Sequence, residues 1–205
     1  MLLAHVFAGY FAAAASRSAW KPEWTDGQRA LLWVTAIGST IVPDLDVAYN
    51  ALFRGYFNHS TLWTHSVFVY LGIGLVWFLL YIPNRRHYLR TLVGLAVLGG
   101  FSHLALDVTA HGTPLLYPAS MMVFGVAPAR VVQGGVWAYL TDPIFLLEPL
   151  LLGATVAHWT LRRHTEPRTR KLVLAMTICG ALLFAGAFMV LLPALQDAVA
   201  PLSSF

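Results

Sequence analysis

His103 and Asp107 are the residues whose types and spacing most clearly indicate chemistry. They lie near the end of an apolar run, residues 91–110. They stand four positions apart, so on a helix both side chains lie on one face, about 6 Å apart at Cβ. An imidazole and a carboxylate at that spacing can bind one metal ion. Because ionisable groups inside a hydrophobic span are costly, the pair predicts a functional site facing protein or water. The alternative is a polar pair that joins two helices.

A second pair of candidate ligands is Asp44 and Asp46, in the sequence Pro-Asp-Leu-Asp that begins at Pro43. Proline disfavours continued helix before it, and in an extended segment alternate side chains point the same way. The two carboxylates are therefore expected to face one ion together. The alternative is an Asx-type turn that ends a helix.

Histidines supply the remaining candidate ligands. His65 lies near the start of an apolar segment, where the helix dipole favours the neutral imidazole that binds metals. His59 stands six residues earlier. The alternative for both is an interfacial histidine in an aromatic belt. His5, alone in the first apolar segment, would by itself be a core histidine, and His111 would either bind a ligand or only cap a helix.

The composition is that of an integral membrane protein. Of 205 residues, 58% are hydrophobic and only 11% are charged, whereas soluble domains carry about a quarter charged residues. A transmembrane helix needs about 20 residues. We therefore expect an all-α integral membrane protein, a single transmembrane helical domain over residues 1–205, with a bundle of about five to six helices and a metal site at its outer end. The apolar segments are residues 2–15, 30–42, 66–82, 91–110, 137–161 and 172–195.

The distribution of Lys and Arg predicts the orientation. Eleven of the 13 lie in the linkers at residues 17–29, 84–90 and 162–171. Six alternating spans place these linkers on one side, which the positive-inside rule makes cytoplasmic. We therefore expect a protein of the cell (inner) membrane whose site faces outward. The candidate ligands that fall in the outer half or outer linkers are His5, Asp44, Asp46, His59, His65, His103, Asp107, His111 and Asp142.

Mixed imidazole and carboxylate ligands predict Zn²⁺ first, with Mn²⁺ or Fe²⁺ as alternatives. The candidates outnumber the three or four ligands that one ion needs, so we expect one to three ions, a two-metal site among the possibilities. Asp142 is predicted to hydrogen-bond a ligand rather than to bind an ion itself. The predicted metal ligands are His5, Asp44, Asp46, His59, His65, His103 and Asp107.

The ordered set of motifs resembles the membrane-bound metal-dependent hydrolase family of bacteria and archaea, over roughly the first 120 residues. More distantly, the order of ligands is similar to that of zinc-dependent phospholipase C and related nucleases, which implies phosphodiester hydrolysis at a multi-metal site. This chain has Ser60-Thr61 where the family has Arg-Gly. The matching elements are His5, Pro43-Asp44-Leu45-Asp46, His59, Thr64-His65-Ser66, His103 with Asp107, Gly112, and Leu115-Leu116-Tyr117-Pro118.

These features predict an enzyme, a membrane-embedded metal-dependent hydrolase that cleaves a phosphoester or ester bond by metal-activated water. Its substrate would be a lipid or lipid-linked molecule of the outer leaflet. Asp44 or Asp46 would position the water as the catalytic carboxylate. Arg54 and Arg130, the cations outside the basic linkers, would hold an anionic head group together with His111. The alternative for the two arginines is that they are ordinary loop charges.

Two other functions remain open, namely a metal transporter or accessory protein without catalysis, and a purely structural membrane protein. A transport path needs polar residues across the membrane, and the inner halves of these spans hold almost none. No phosphate-binding glycine motif occurs, so no nucleotide cofactor is expected. The basic linkers are expected to set the topology rather than to bind nucleic acid. The stretch at residues 112–135 is predicted to be an interfacial or re-entrant segment, and its apolar part, residues 114–126, would admit the substrate's acyl chain. The oligomeric state is not indicated.

Overall fold

The computed structural model describes residues 2–54, 63–81, 87–110, 112–126, 147–163 and 166–199. Within these ranges the chain is mostly helical and forms no named strand, which confirms the predicted helical class. The chain divides into two compact units, residues 2–129 and 130–205. Each unit is described by itself, and the single-domain organisation stays a prediction.

The first unit contains five α-helices among its described residues. A tight helical turn, Val42–Asp44, joins α2 to α3, and a wider turn, Asn50–Arg54, follows α3. Another tight turn, Trp63–His65, precedes α4. The helices are α1 (Leu2–Ser16), α2 (Asp26–Ile41), α3 (Leu45–Tyr49), α4 (Val67–Leu79) and α5 (His87–Ala110).

The path around Pro43 differs from the sequence prediction, because residues 43–46 are helical rather than extended. Proline is tolerated in the first turn of a helical segment, where its missing N–H would have no partner. The predicted extended conformation, with Asp44 and Asp46 side by side, is therefore wrong. The helical path instead places Asp46 at Nδ1 of His65 and Asp44 on the side of its Nε2.

Small residues let α1 and α5 approach α2 closely. A Cβ added to Gly9 would lie 2.6 Å from both the Ala36 carbonyl oxygen and the Ile37 Cα. A Cβ added to Gly99 on α5 would overlap the Ser39 hydroxyl. Glycine at these contacts allows two backbones to pack against each other in a membrane protein. Helix α2 is thereby held against α1 and against α5.

An apolar core stabilises the N-terminal part of α2. Leu32 and Trp24 are buried there, and the Trp24 and Tyr88 rings meet at 5.3 Å. The Tyr88 hydroxyl also donates a hydrogen bond to the Gln28 carbonyl at 3.1 Å. This end of the unit is held mainly by apolar and aromatic packing, whereas the C-terminal end of α2 carries ionisable groups.

The segment after α5 folds back onto the start of α4. Gly112 has φ 89° and donates its N–H to the Asp107 carbonyl at 2.8 Å, so the chain leaves α5 in a conformation that favours glycine. The Leu115 carbonyl accepts from the Val67 N–H at 2.8 Å, and Ser66 Oγ donates to the Tyr117 carbonyl at 2.5 Å. These bonds tie the C-terminal end of α5 to the turn that precedes α4.

Three helical stretches within the described residues are long and apolar enough to cross a membrane: Asp26–Arg54, His87–Ala110 and Pro167–Pro193. Helix α4 is apolar but shorter. A membrane protein is therefore confirmed by length and composition, and the number of five to six spans stays a prediction.

The second unit contains α6 (Leu147–Arg163) and α7 (Pro167–Val199) among its described residues. The two helices pack where Gly153 lies close to Thr177. Helix α7 exposes large apolar side chains, including Leu183 and Val190. That apolar surface is the one expected of a helix in contact with lipid.

Replacing Gly9 with Ala is expected to destabilise the protein by about 1–3 kcal/mol, because the added methyl meets the backbone of α2 and not a movable side chain. Gly38→Ala is the matched control, since nothing lies within 4 Å of a Cβ at that position. Thermal unfolding in one detergent would measure both variants. Equal stability of Gly9→Ala and wild type would contradict this account of the α1–α2 contact.

Candidate metal centre

The structure brings six of the predicted site residues together at one end of the first unit. Helix α1 contributes one residue from its first turns, the α2–α3 junction two, the turn before α4 one, and the C-terminal part of α5 two. All six are buried, and within the group only Asp44 keeps measurable exposure, 7% of its side chain. The six residues are His5, Asp44, Asp46, His65, His103 and Asp107.

Four of these residues form a group that could hold a metal ion. One ligand atom from each of Asp44, His65, His103 and Asp107 lies within 4.8 Å of the others. We call this group the four-residue cluster. It combines two imidazoles with two carboxylates from three separate chain segments, a donor set that suits Zn²⁺, Mn²⁺ or Fe²⁺.

The separations within the four-residue cluster fit the edges of a coordination polyhedron. The Nε2 atom of His103 lies 3.1 Å from Asp107 Oδ2 and 3.3 Å from His65 Nε2, and His65 Nε2 lies 3.5 Å from Asp107 Oδ2. Tetrahedral bonds of about 2.0–2.1 Å give ligand-to-ligand edges of about 3.3 Å. Asp44 Oδ1 is somewhat further from the two imidazoles, at 3.6 and 3.9 Å. The geometry fits a single small divalent ion.

The tautomer of His103 follows from its hydrogen bond to the backbone. Its Nδ1 lies 2.8 Å from the Thr40 carbonyl oxygen, which can only accept, so Nδ1 carries the proton. In the neutral ring, Nε2 then presents a lone pair to the Asp107 carboxylate. Two acceptors that face each other in a buried site repel, and a cation between them removes the conflict.

His65 is oriented by a carboxylate on the opposite edge of its ring. Its Nδ1 lies 3.4 Å from Asp46 Oδ2, while its Nε2 faces the four-residue cluster. This is the arrangement in which a carboxylate holds a metal-binding histidine in one tautomer. The Nε2 atoms of His65 and His103 lie 3.3 Å apart, so both cannot direct a proton at each other, and either one shared proton or a metal ion can lie between them. The geometry places Asp46 behind His65.

His5 lies beside the four-residue cluster rather than within it. Its Nε2 is 3.3 Å from Asp107 Oδ1 and 3.7 Å from Asp44 Oδ2. Its ring stacks on that of His103, with centroids 4.0 Å apart and an interplanar angle of 24°. The early histidine of the sequence thus reaches both carboxylates of the cluster.

The backbone carbonyl of Thr40 was not foreseen from the sequence. Pro43 has no N–H, so it cannot donate the i→i+3 bond that the tight turn would direct at Thr40. The carbonyl accepts from His103 instead. A proline three residues after a helix position, next to a pair of acidic residues, is the signal that could have indicated this contact.

Tyr70 is a second residue that the sequence did not single out. Its hydroxyl donates to the Thr64 carbonyl at 2.7 Å, next to His65. Its ring occupies the space beside Gly100, where an added Cβ would overlap the ring. Tyr70 therefore joins the turn that carries His65 to the part of α5 that carries His103. A lone tyrosine in an apolar span is too weak a signal to predict this role.

The other predicted site residues are not brought to the cluster by any described contact. Arg54 lies in the exposed turn after α3, with its guanidinium 5.5 Å from the centre of the Tyr49 ring. Its role in head-group binding stays a prediction. The remaining predicted residues, His59, His111, Arg130 and Asp142, lie outside the described residues.

Replacing Tyr70 with Phe is expected to weaken divalent-metal affinity by roughly 10-fold, because residues that orient metal ligands contribute at that level. Tyr88→Phe is the matched control, since it removes a similar bond to a backbone carbonyl at the apolar core. Titration of the metal-free proteins with Zn²⁺ against a competing chelator would compare them. Equal losses in both variants would show a general effect on stability instead.

Comparison with known proteins yields one family. No curated protein and no solved structure is significantly similar to this chain. The sequence model of the YdjM inner membrane protein family matches residues 1–191 of the chain. That range includes every residue of the candidate metal centre. This agrees with the apolar helices found in the structure. Since the match spans most of its length, the chain belongs to the YdjM inner membrane protein family.

Proposed function

We propose that this inner membrane protein is a metal-dependent hydrolase that cleaves a phosphoester or ester bond of a lipid or lipid-linked substrate. The observation that carries the proposal is the buried four-residue cluster, in which two imidazole Nε2 atoms and two carboxylates converge. The resemblance to membrane-bound metal-dependent hydrolases and to zinc-dependent phospholipase C supports the same reaction class.

A divalent ion, Zn²⁺ before Mn²⁺ or Fe²⁺, would supply Lewis-acid activation of water and of the bond to be cleaved. His65, His103, Asp107 and Asp44 would hold it. The chain's own contribution is to fix these donors before substrate arrives, through the Thr40 carbonyl on His103 and Asp46 on His65. Because these ligands are already in place, no free energy is needed to reorganise them during the reaction.

Asp44 marks the direction from which water and substrate would approach. Its side chain is 7% exposed, whereas those of His65, His103 and Asp107 are fully buried. It is therefore the carboxylate placed to meet an incoming water at the edge of the cluster. Asp46, directed at His65, is better placed to position that ligand than to act on substrate, although both were predicted as catalytic carboxylates.

The surroundings of Asp44 support a lipid substrate. Its near neighbours Val42 and Leu45 are 52% and 56% exposed, and Leu52 and Phe53 on the following turn are more exposed still. In a protein of the inner membrane, an apolar surface around an entrance is expected to contact acyl chains. A lipid could thus present its head group to the cluster without leaving the bilayer.

Arg54 follows that apolar surface in the chain and carries the charge opposite to a phosphate. An arginine at the level of the head groups would bind an anionic head group through paired hydrogen bonds. His111 and Arg130, predicted to bind the same head group, lie outside the described residues. The proposal needs no nucleotide, nucleic acid or second protein.

The alternative function, metal transport or metal storage without catalysis, makes a different prediction. A transporter would carry Zn²⁺ or Mn²⁺ into liposomes, and His103→Ala would abolish that uptake. A hydrolase would leave the liposome interior free of added metal while cleaving the lipid.

Asp107→Asn is expected to remove most metal and to lower lipid hydrolysis by at least about 100-fold, since it deletes a carboxylate charge from the centre of the site. Asp26→Asn is the matched control, because Asp26 is an exposed carboxylate at the start of α2. Elemental mass spectrometry and release assays on defined phospholipids and lipid phosphates would measure both. Unchanged turnover in metal-loaded Asp107→Asn would refute the hydrolase mechanism.

The proposed orientation places the metal centre on the outer side and the basic linkers in the cytoplasm. In a Cys179→Ala background, Ala119→Cys is expected to react with a membrane-impermeant maleimide in intact spheroplasts. Ser18→Cys, in the exposed turn after α1, is expected to react only after lysis. Labelling of Ser18→Cys first would reverse the orientation.

A further inference from the structure

We propose that the protein binds a second divalent ion, held by His5 together with the oxygens of Asp44 and Asp107 that face away from His65 and His103. This inference rests on the proposed metal centre and specifies its composition. The two carboxylates would then bridge two ions, with one imidazole pair on one side and one imidazole on the other.

Each of the two carboxylates directs one oxygen at His103 and the other at His5. In Asp107, Oδ2 lies 3.1 Å from His103 Nε2, whereas Oδ1 lies 3.3 Å from His5 Nε2. In Asp44, Oδ1 lies 3.6 Å from His103 Nε2, whereas Oδ2 lies 3.7 Å from His5 Nε2. Each carboxylate therefore offers one oxygen to each set of imidazoles. Two carboxylates that both divide their oxygens in this way have the arrangement of bridging ligands.

The two separations from His5 Nε2 are compatible with an ion shared between His5 and the two carboxylates. The distances of 3.3 and 3.7 Å from His5 Nε2 to the two oxygens are close to the edges of about 3.3 Å expected for tetrahedral coordination. Two-metal sites place their ions about 3.5–4 Å apart, a distance that a bridging carboxylate spans. A second ion bridged to the first by these carboxylates would lie at that distance from it.

The burial of His5 is not explained by the first ion, which His5 does not bind. It is fully buried in an apolar helix, and neither ring nitrogen makes a hydrogen bond of normal geometry with any residue that the structure describes. A buried polar group without such a bond costs about 1–3 kcal/mol. Its Nε2 points at two carboxylate oxygens, and stacking on His103 fixes the ring. A cation beside Nε2 would satisfy the imidazole and contact both oxygens.

The two positions differ in the number of protein donors. The first has four, from Asp44, His65, His103 and Asp107, which is the number found in closed sites. The second has three, from His5 and the two bridging carboxylates, and three donors leave one coordination position open. The second ion would therefore keep an open position for water or a substrate oxygen, whereas the first would take one only as a fifth ligand.

The test is manganese loading followed by ion counting and electron paramagnetic resonance. Detergent-purified, metal-free protein is titrated with Mn²⁺, and bound ions are counted by elemental mass spectrometry. Wild type is expected to bind about two ions per chain and to show the exchange-coupled spectrum of a pair that shares ligands. His5→Phe keeps a ring to stack on His103 but removes both nitrogens. It is expected to bind about one ion with the spectrum of isolated Mn²⁺.

His158→Ala, a half-buried histidine on α6, serves as the control and is expected to keep the wild-type count. One uncoupled ion in wild type, or two ions in His5→Phe, would overturn the second position while leaving the metal centre intact. Absence of bound metal from folded wild type would overturn the proposed function as well. Because these readouts do not use turnover, failure of the hydrolase assay leaves the ion count interpretable.

Discussion

The burial of two carboxylates against the Nε2 atoms of imidazoles is the constraint on which the first unit depends. Ionisable groups cost several kcal/mol to remove from water unless they are paired. The Thr40 carbonyl fixes one proton of His103 on Nδ1, so that either a proton or a metal ion at Nε2 completes the pairing with Asp107. The same logic applies to His65, whose Nδ1 faces Asp46. The helices are arranged so that these Nε2 atoms converge.

Several features of the fold position the donor side chains of this site. Glycine contacts at Gly9 and Gly99 bring α1 and α5 against α2, so that His5 and His103 can stack. The segment after α5 is bonded to the start of α4, which fixes the turn carrying His65. The aromatic core beside Trp24 stabilises the same helices at a distance from the polar end. Packing and hydrogen bonds thus hold the donors in place, and the charged site need not stabilise the fold by itself.

The sequence predicted much of this site, and the reasons for its failures are physical. Polar residues in apolar spans are so costly that His103, Asp107 and His65 could be identified from type and position alone. The conformation around Pro43 was mispredicted, because the rule that proline ends a helix ignores the turns in which its missing N–H costs nothing. That error concealed the separate roles of Asp44 and Asp46. Thr40 and Tyr70 act through a backbone carbonyl and through ring packing, which leave no pattern in a single sequence.

X-ray absorption spectroscopy at the zinc K-edge of the zinc-loaded, detergent-purified protein tests the central claim most directly. The account predicts a shell of nitrogen and oxygen donors at about 2.0–2.1 Å, with the outer-shell scattering of imidazole rings and no sulfur. His103→Ala is expected to lose part of the imidazole signal and most of the bound zinc. A spectrum of hydrated zinc without imidazole, or a folded protein that takes up no zinc, would contradict the account and leave these side chains as polar contacts between helices.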